Sequence, residues 1–177
     1  MGWVHKLLHI TPREELKGIS LNVTVPFWKL EGKTDFPSLF CALRDLLRDG
    51  CILYFEGGYP RGRLLEFFNA KAIPEQTHVA VGTLWPRPDY YHIPATTENL
   101  TALAQISESC AEAEIAIHFH VYRNANILLE WHDAFSQPML LSGELSEEDV
   151  RTFAEALSMK ITKWKDAGEQ ANQPDRE

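Results

Sequence analysis

Short runs of β-branched, aromatic or alternating apolar residues predict β-strands along most of the chain. Seven runs have this character: 19–25, 51–55, 77–84, 90–93, 114–122, 127–132 and 139–142. Pro26 follows the first run and ends it, because proline lacks the amide hydrogen that a strand needs. In 77–84, Val79 and Val81 are expected on the inner face. The intervening stretch 28–35 is expected to be a loop.

Apolar residues spaced three or four positions apart predict the helices, because this spacing places them on one face of an α-helix. One such stripe runs from Pro37 to Asp49, and Gly50 is a typical residue just beyond a helix end. Thr96 or Thr97 is expected to cap a second helix, which continues towards residue 110. Shorter helices are predicted at 11–18 and 64–70.

The last predicted helix has the most complete pattern. Ser146 is a capping residue, and the acidic residues that follow it favour the positive end of the helix dipole. Apolar residues then continue at helical spacing: Val150, Phe153, Leu157, Ile161 and Trp164. The pattern therefore predicts one helix from Ser146 to Trp164.

The order of these elements favours an α+β fold. The strands occur mostly in hairpin-like pairs, so we expect a largely antiparallel sheet with about four helices packed mainly on one face. A helix separates the first two strands, which leaves room for a parallel component there. No interdomain linker is visible. Residues 1–166 are therefore expected to form a single globular domain, followed by a disordered acidic tail at 167–177.

Composition excludes several classes of protein. The chain has 177 residues and a formal net charge of −8, which argues against nucleic-acid binding because phosphate contacts need a basic surface. A hydrophobic fraction of 45% is too high for a disordered chain. No apolar run approaches the roughly 20 residues of a membrane span, so no membrane association is expected.

The cysteines and the start of the chain bear on the compartment. Cys41, Cys51 and Cys110 are far apart and form no CxxC motif, which favours buried free thiols in a reducing compartment. The first residues contain no apolar core of the length found in signal peptides. We therefore expect a cytoplasmic protein, and the oligomeric state is left open.

Three histidines and a glutamate fall on two neighbouring predicted strands. Apolar residues occupy the odd positions in both 117–121 and 127–131, so the even positions share the other face. If both strands direct their odd positions to one core, the connecting loop has an odd number of residues, such as 124–126. His118 then lies opposite His132, and His120 lies opposite Glu130.

These four side chains form a ligand set that Zn²⁺ or Fe²⁺ accepts in proteins. They could also support acid–base chemistry, because histidine titrates near neutral pH. The candidate metal residues are thus His118, His120, Glu130 and His132. The alternative is an ordinary solvated face of an antiparallel sheet, without a metal. No other cofactor is predicted.

A glycine- and arginine-containing loop follows the predicted strand at 51–55. Backbone amides of a glycine-rich turn, with cationic side chains nearby, can hold a phosphate or carboxylate. The candidate anion-binding residues are Gly57, Gly58, Arg61 and Arg63. The spacing matches neither nucleotide-binding motif, GxxxxGK[ST] or GxGxxG, and the alternative is a plain surface turn.

An aromatic segment at 85–92 combines the residue types that dominate the energetics of protein interfaces. The candidate partner-binding residues are Trp85, Arg87, Tyr90 and Tyr91. The two prolines stiffen this segment and lower the entropy lost on binding. The alternative is that Trp85 and one tyrosine fill the edge of the core.

No nucleophile motif such as GxSxG and no paired-carboxylate motif is present. Our first hypothesis is therefore a cytosolic protein-interaction domain without catalytic activity, of a regulatory or inhibitor and immunity type. Its acidic surface would suit a basic protein partner. The second hypothesis is a metal-dependent or histidine-based enzyme that uses His118, His120, Glu130 and His132.

Overall fold

The computed structural model describes residues 18–80, 82–83, 88–134 and 136–164. In chain order, the strands and helices of this part are β1 (Phe27–Glu31), α1 (Phe36–Leu46), β2 (Ile52–Glu56), α2 (Gly62–Lys71), β3 (Tyr90–Pro94), α3 (Thr97–Ser107), α4 (Glu112–Ile115), β4 (His118–Arg123), β5 (Asn126–Trp131), β6 (Met139–Ser142), α5 (Glu147–Ala156) and β7 (Lys160–Trp164). None of these helices is long and apolar enough to cross a membrane.

The seven strands form one sheet in the order β3-β2-β4-β5-β6-β1-β7, and every neighbouring pair is antiparallel. This confirms the predicted α+β class, with five described helices where about four were expected. The parallel component expected at the first two strands is wrong for the described residues. The parallel contact that the described residues do make is an isolated bridge between Ile19 of the first predicted strand and Val79 of the third.

The helices pack on one face of the sheet through their apolar faces, and side chains cap the first turns of three of them. Asp35 caps α1 by accepting the N–H of Ser38 at 2.8 Å, and Thr96 and Ser146 cap α3 and α5 in the same way. Aromatic rings fill the space between α1 and the sheet: Phe36, Phe40, Phe55, Phe119 and Trp131.

Two segments outside the seven strands cover the opposite face of the sheet. We call residues 18–25 the first covering segment, and residues 72–80 with 82–83 the second covering segment. Leu21 of the first and Val79 of the second are buried in an apolar cluster with Tyr54 of β2. Hydrogen bonds beside the bridge of Ile19 to Val79 join the two segments. Side chains on this sheet face are thereby shielded from water.

The strands predicted at 19–25 and 77–84 are wrong for the described residues of these runs, which form most of the covering segments. Ile19, Leu21 and Val79 pack onto the face of the sheet instead of pairing along its edge, whereas Val23 and Val25 are exposed. Val79 is buried as expected, whereas Val81 lies outside the described residues.

The loop predicted at 28–35 is also wrong in its first half, which belongs to β1. Trp28 and Leu30 are buried on the helix-packed face, and Lys29 lies on the other face. The neighbours of β1 are β6 and β7, near the other end of the chain. The charged residues on that other face are the reason why the sequence of this short strand indicated a loop.

The final predicted helix is too long. Helix α5 ends at Ala156, Ser158 adopts a left-handed backbone conformation (φ 54°), and the chain returns as β7 beside β1. Ile161 and Trp164 therefore pair with Leu30 and Phe27 of β1 instead of extending the helical stripe. The ring of Trp164 stacks on the ring of Phe27 at 6.3 Å between centroids.

The other predicted helices and strands agree with the structure to within a few residues, except that the run 114–122 begins as helix α4 before β4 starts. The helix expected at 11–18 lies outside the described residues save for Gly18, and so does the tail expected at 167–177. All three cysteines are free, and Cys51 is buried as expected, but Cys41 is exposed.

Candidate metal centre

The predicted cluster of histidines and glutamate is formed at the hairpin of β4 and β5. His120 pairs with Glu130 in the antiparallel register, and Phe119 pairs with Trp131. Continuing this register places His118 opposite His132, and their Nδ1 atoms lie 3.4 Å apart. Both predicted pairings are therefore present.

The hairpin reaches this register by a different route from the one expected. Arg123 pairs with Asn126, so the turn contains two residues, and Asn124 in it has a positive φ of 56°. The register shifts by one residue at Leu128, which forms a β-bulge. With this extra residue, odd positions of β4 again lie opposite odd positions of β5, as predicted. Because of this bulge, Ile127 lies on the covered face beside Tyr122, and its predicted place on the helix-packed face is wrong.

The cluster is buried, so the alternative of a solvated polar sheet face is wrong. His120 is 1% exposed, and His118 and Glu130 are each 8% exposed. The covering segments exclude water here, and the backbone N–H of Leu21 donates to Oε2 of Glu130 at 2.7 Å. The side chain of His132 is 41% exposed and forms the open side of the cluster.

His120 is the unusual member of the cluster, because neither of its ring nitrogens has a hydrogen-bond partner. Its ring packs against the rings of His132 and Tyr54, with centroids 4.8 Å and 5.6 Å away. Burial lowers the pKa of His120 to about 3, and the neighbouring charge of His132 acts in the same direction. The imidazole is therefore neutral and carries an unused nitrogen lone pair.

Glu130 and His132 form an ion pair next to this ring, with Nε2 of His132 3.2 Å from Oε1 of Glu130. Burial alone would raise the pKa of Glu130, but hydrogen bonds from His132 and Leu21 outweigh it and lower the pKa. The bond to Glu130 raises the pKa of His132, although burial opposes this. The carboxylate is ionised and available to a cation.

His120, Glu130 and His132 can each offer one ligand atom, and these atoms lie within 4.8 Å of one another. Ligands of a tetrahedral zinc ion stand roughly 3.4 Å apart, given metal–ligand bonds of about 2.0–2.2 Å. Small rotations of the side chains would bring the three atoms to this spacing. Two histidines and one carboxylate are a common ligand set of catalytic zinc and of non-haem iron(II).

His118 lies beside this three-residue group and not within it. Its Nδ1 accepts the backbone N–H of Asp133 at 3.0 Å, and its Nε2 is 3.1 Å from Oγ1 of Thr83. Burial lowers the pKa of His118, partly offset by Glu56, so the ring is neutral. Both nitrogens are therefore engaged with protein groups.

A second buried acid, Glu56 at the end of β2, was not among the residues predicted from the sequence. Its carboxyl oxygens accept the hydroxyl of Tyr54 at 2.9 Å and the backbone N–H groups of Gly82 and Thr83. In the register, Glu56 lies opposite His118, and Tyr54 lies opposite His120. The shared parity of residues 54 and 56 was a signal, but the apolar run around them concealed it.

His92 of β3 extends the same polar row. Its Nδ1 is 2.9 Å from the hydroxyl of Tyr122, and its buried Nε2 has no hydrogen-bond partner. It pairs with Tyr54 across the strands, on the side away from His120. The covered face therefore holds a continuous band of polar side chains.

The four predicted partner-binding residues do not form one surface patch among the described residues. Trp85 and Arg87 lie outside the described residues. Tyr91 packs on Phe68, with ring centroids 4.6 Å apart, so it belongs to the edge of the core. Tyr90 is 37% exposed, and its hydroxyl donates to Glu75. The proposed interaction surface stays a prediction.

The loop with the predicted anion-binding residues is held by other parts of the fold. The N–H of Gly57 donates to the carbonyl of Asp89, and a Cβ on Gly58 would overlap the carbonyl oxygen of Ile115. Arg61 and Arg63 are both exposed at the start of α2. The close backbone packing accounts for these glycines without an anion, and anion binding stays a prediction.

Comparison with known protein families, with curated proteins and with solved structures found no match.

Proposed function

We propose that this protein binds one divalent transition-metal ion, zinc or iron(II), through His120, Glu130 and His132, and that it is a metal-dependent enzyme. The supporting observation is the imidazole of His120, which is almost fully buried and has two nitrogens without a partner. Buried polar atoms nearly always have a hydrogen-bond partner, because each one without a partner costs from about 1 to several kcal/mol of stability. A metal ion would take up the lone pair of one of these two nitrogens.

The number of ligands supports a catalytic centre over a structural one. Structural zinc sites are closed by four protein ligands, whereas catalytic sites use three and leave a position for water or substrate. The half-exposed side chain of His132 gives that position a route to solvent. Water bound there would have its pKa lowered to about 7, which suits hydrolysis at neutral pH.

The first test is the metal content and metal affinity of the full chain. Protein purified without chelators is assayed by elemental analysis, and stripped protein is titrated with Zn²⁺. We expect one metal ion per chain, and at least a 100-fold weaker affinity in His120→Ala and Glu130→Gln, since each loses a direct ligand. His78→Gln is the matched control, because this histidine is exposed and lies outside the cluster. The proposal would be refuted if wild-type protein did not bind one equivalent of Zn²⁺, Fe²⁺ or Co²⁺.

The open position has its own test. Co²⁺ is loaded in place of zinc, and azide is added while the visible absorption spectrum is recorded. A saturable spectral change indicates an exchangeable fourth ligand and supports an enzyme. A spectrum that azide leaves unchanged indicates a closed structural site and contradicts the catalytic part of the proposal.

A further inference from the structure

We propose that His118 is a positioning residue, which orients His132 for the metal through a hydrogen-bonded chain from Glu56 and Thr83. The inference rests on the function proposed above, because it assigns His118 a role towards the same centre. It also departs from the sequence prediction, in which His118 is itself a ligand.

The chain begins at Glu56, which is fully buried. Its carboxyl oxygens accept the N–H of Gly82 at 3.0 and 3.1 Å and the N–H of Thr83 at 2.8 Å. These bonds hold the second covering segment against the ring of His118. A Cβ on Gly82 would lie only 2.6 Å from Cδ2 of that ring, so the segment leaves the imidazole no room to rotate.

The tautomer of His118 follows from its partners. The backbone N–H of Asp133 can only donate, and it lies 3.0 Å from Nδ1 of His118. Nδ1 is therefore the acceptor, and a neutral imidazole must then carry its proton on Nε2. Oγ1 of Thr83, 3.1 Å away, accepts that proton.

This tautomer of His118 in turn determines which nitrogen of His132 faces the metal ligands. Nδ1 of His132 lies 3.4 Å from Nδ1 of His118. Because Nδ1 of His118 carries no proton, His132 is the donor of this contact, which shares the lone pair that also accepts the N–H of Asp133. The other nitrogen, Nε2, faces Glu130 at 3.2 Å, on the side of the ligand group. Histidines that bind metals usually donate their second N–H to a neighbouring acceptor, and here that acceptor is a third histidine.

The tautomers can be read directly from the metal-free protein by long-range ¹⁵N–¹H NMR correlation of the imidazole rings. We expect His118 to appear as the neutral form protonated on Nε2. A His118 protonated on Nδ1, or on both nitrogens at pH 7.5, would overturn the hydrogen-bond chain. This measurement does not depend on a metal being bound.

The positioning role is tested by metal affinity. His118→Ala removes the acceptor and should weaken Zn²⁺ binding about 10- to 100-fold, the usual effect of losing such a partner. His118→Asn places a carbonyl oxygen near the former Nδ1 and should restore most of the affinity. The visible spectrum of bound Co²⁺ should be the same in wild type and His118→Asn, because the three ligands are unchanged.

Thr83→Val and Thr83→Ser form a second pair, in case His118→Ala fails to fold. The valine variant should bind Zn²⁺ several-fold more weakly than the serine variant, because only serine keeps the hydroxyl acceptor. Equal affinity in all four variants and wild type would overturn the proposal. So would an altered Co²⁺ spectrum in His118→Asn, which would make His118 a ligand.

The two proposals fail in different ways. Wild-type protein that binds no metal refutes the proposed function, and the positioning role falls with it, although the NMR result still decides whether the hydrogen-bond chain exists. Wild-type protein that binds metal, with His118→Ala equally tight, leaves the function intact and refutes the positioning role alone.

Discussion

Burial of His120 places a polar group where the surrounding protein offers it no partner. Each of its nitrogens would form a hydrogen bond in water, and in the folded chain neither does. A neighbour on the same strand, His118, is also buried yet has partners at both nitrogens. The two residues are identical in type and adjacent on one face, but only His120 has ring nitrogens without a partner.

Replacing His120 by leucine should therefore stabilise the metal-free protein while abolishing metal binding. Removing an unsatisfied buried polar group is favourable by about 1–3 kcal/mol, and leucine has a similar volume. Urea unfolding in the presence of a chelator measures this effect. His118→Leu is the matched control and should destabilise, because its partners lose their hydrogen bonds. Destabilisation of similar size in both variants would contradict the unsatisfied state of His120.

At the scale of elements, two buried carboxyl groups fasten the covering segments to the sheet. Glu130 on β5 holds the first covering segment through Leu21, and Glu56 on β2 holds the second through Gly82 and Thr83. These segments make few regular backbone pairs, so the side-chain bonds replace a strand ladder in locating them. The same bonds shield the histidines from water.

Glu56→Gln should loosen the second covering segment. The amide group keeps one acceptor oxygen but turns a donor towards backbone N–H groups, so we expect a loss of about 2–4 kcal/mol in unfolding free energy. Amide hydrogen exchange at Gly82 and Thr83 should accelerate more than exchange in α1. Glu31→Gln is the control, because this residue is exposed and its ion pair with Lys29 contributes little. Unchanged exchange in Glu56→Gln would contradict the fastening role.

Across the whole molecule, the sheet separates two kinds of interior. The helix-packed face is apolar, whereas the covered face holds a band of buried polar side chains, including His92, His118 and His120. Burial lowers the pKa of each of these three histidines. The native state therefore resists protonating them, while the unfolded chain does not.

Metal-free protein should consequently lose stability as the pH falls below about 6.5, the ordinary pKa of histidine. A histidine with a lowered pKa contributes its full stability above that value and loses it on acidification. His132 has a raised pKa, so its contribution to stability increases on acidification. This is one residue, whereas three histidines contribute in the other direction. We expect the unfolding free energy to drop by about 1–3 kcal/mol between pH 7.5 and 5.5, measured by urea unfolding with a chelator present.

His92→Gln serves as the comparison for this pH dependence. Glutamine can keep a hydrogen bond to Tyr122 but does not titrate, so the loss of stability on acidification should be shallower than in wild type. His92 is separated from the metal ligands by Tyr54, which leaves the centre itself unchanged. An unfolding free energy that does not change with pH in wild type would show that the native state protonates these histidines as readily as the unfolded chain does.

The sequence predicted the antiparallel α+β class and most of the elements, because apolar periodicity and helix caps are local signals. It failed at 19–25 and 77–84, where apolar residues cover a sheet face without joining it. It failed again at residues 160–164, which continue a helical stripe but pair with β1. In both cases the decisive contacts lie far away in the chain.

Alternation along β4 and β5 was sufficient to place His118, His120, Glu130 and His132 on one face, since side chains change face at every residue of a strand. Whether that face meets water, and which imidazole lacks a partner, was decided only by the tertiary structure. The N–H of Leu21 reaches Glu130 across 109 residues of sequence, and no periodicity within a strand can report such a contact. The chemistry of the ligands is thus a property of the sequence, whereas their burial and protonation arise from chain packing over long separations.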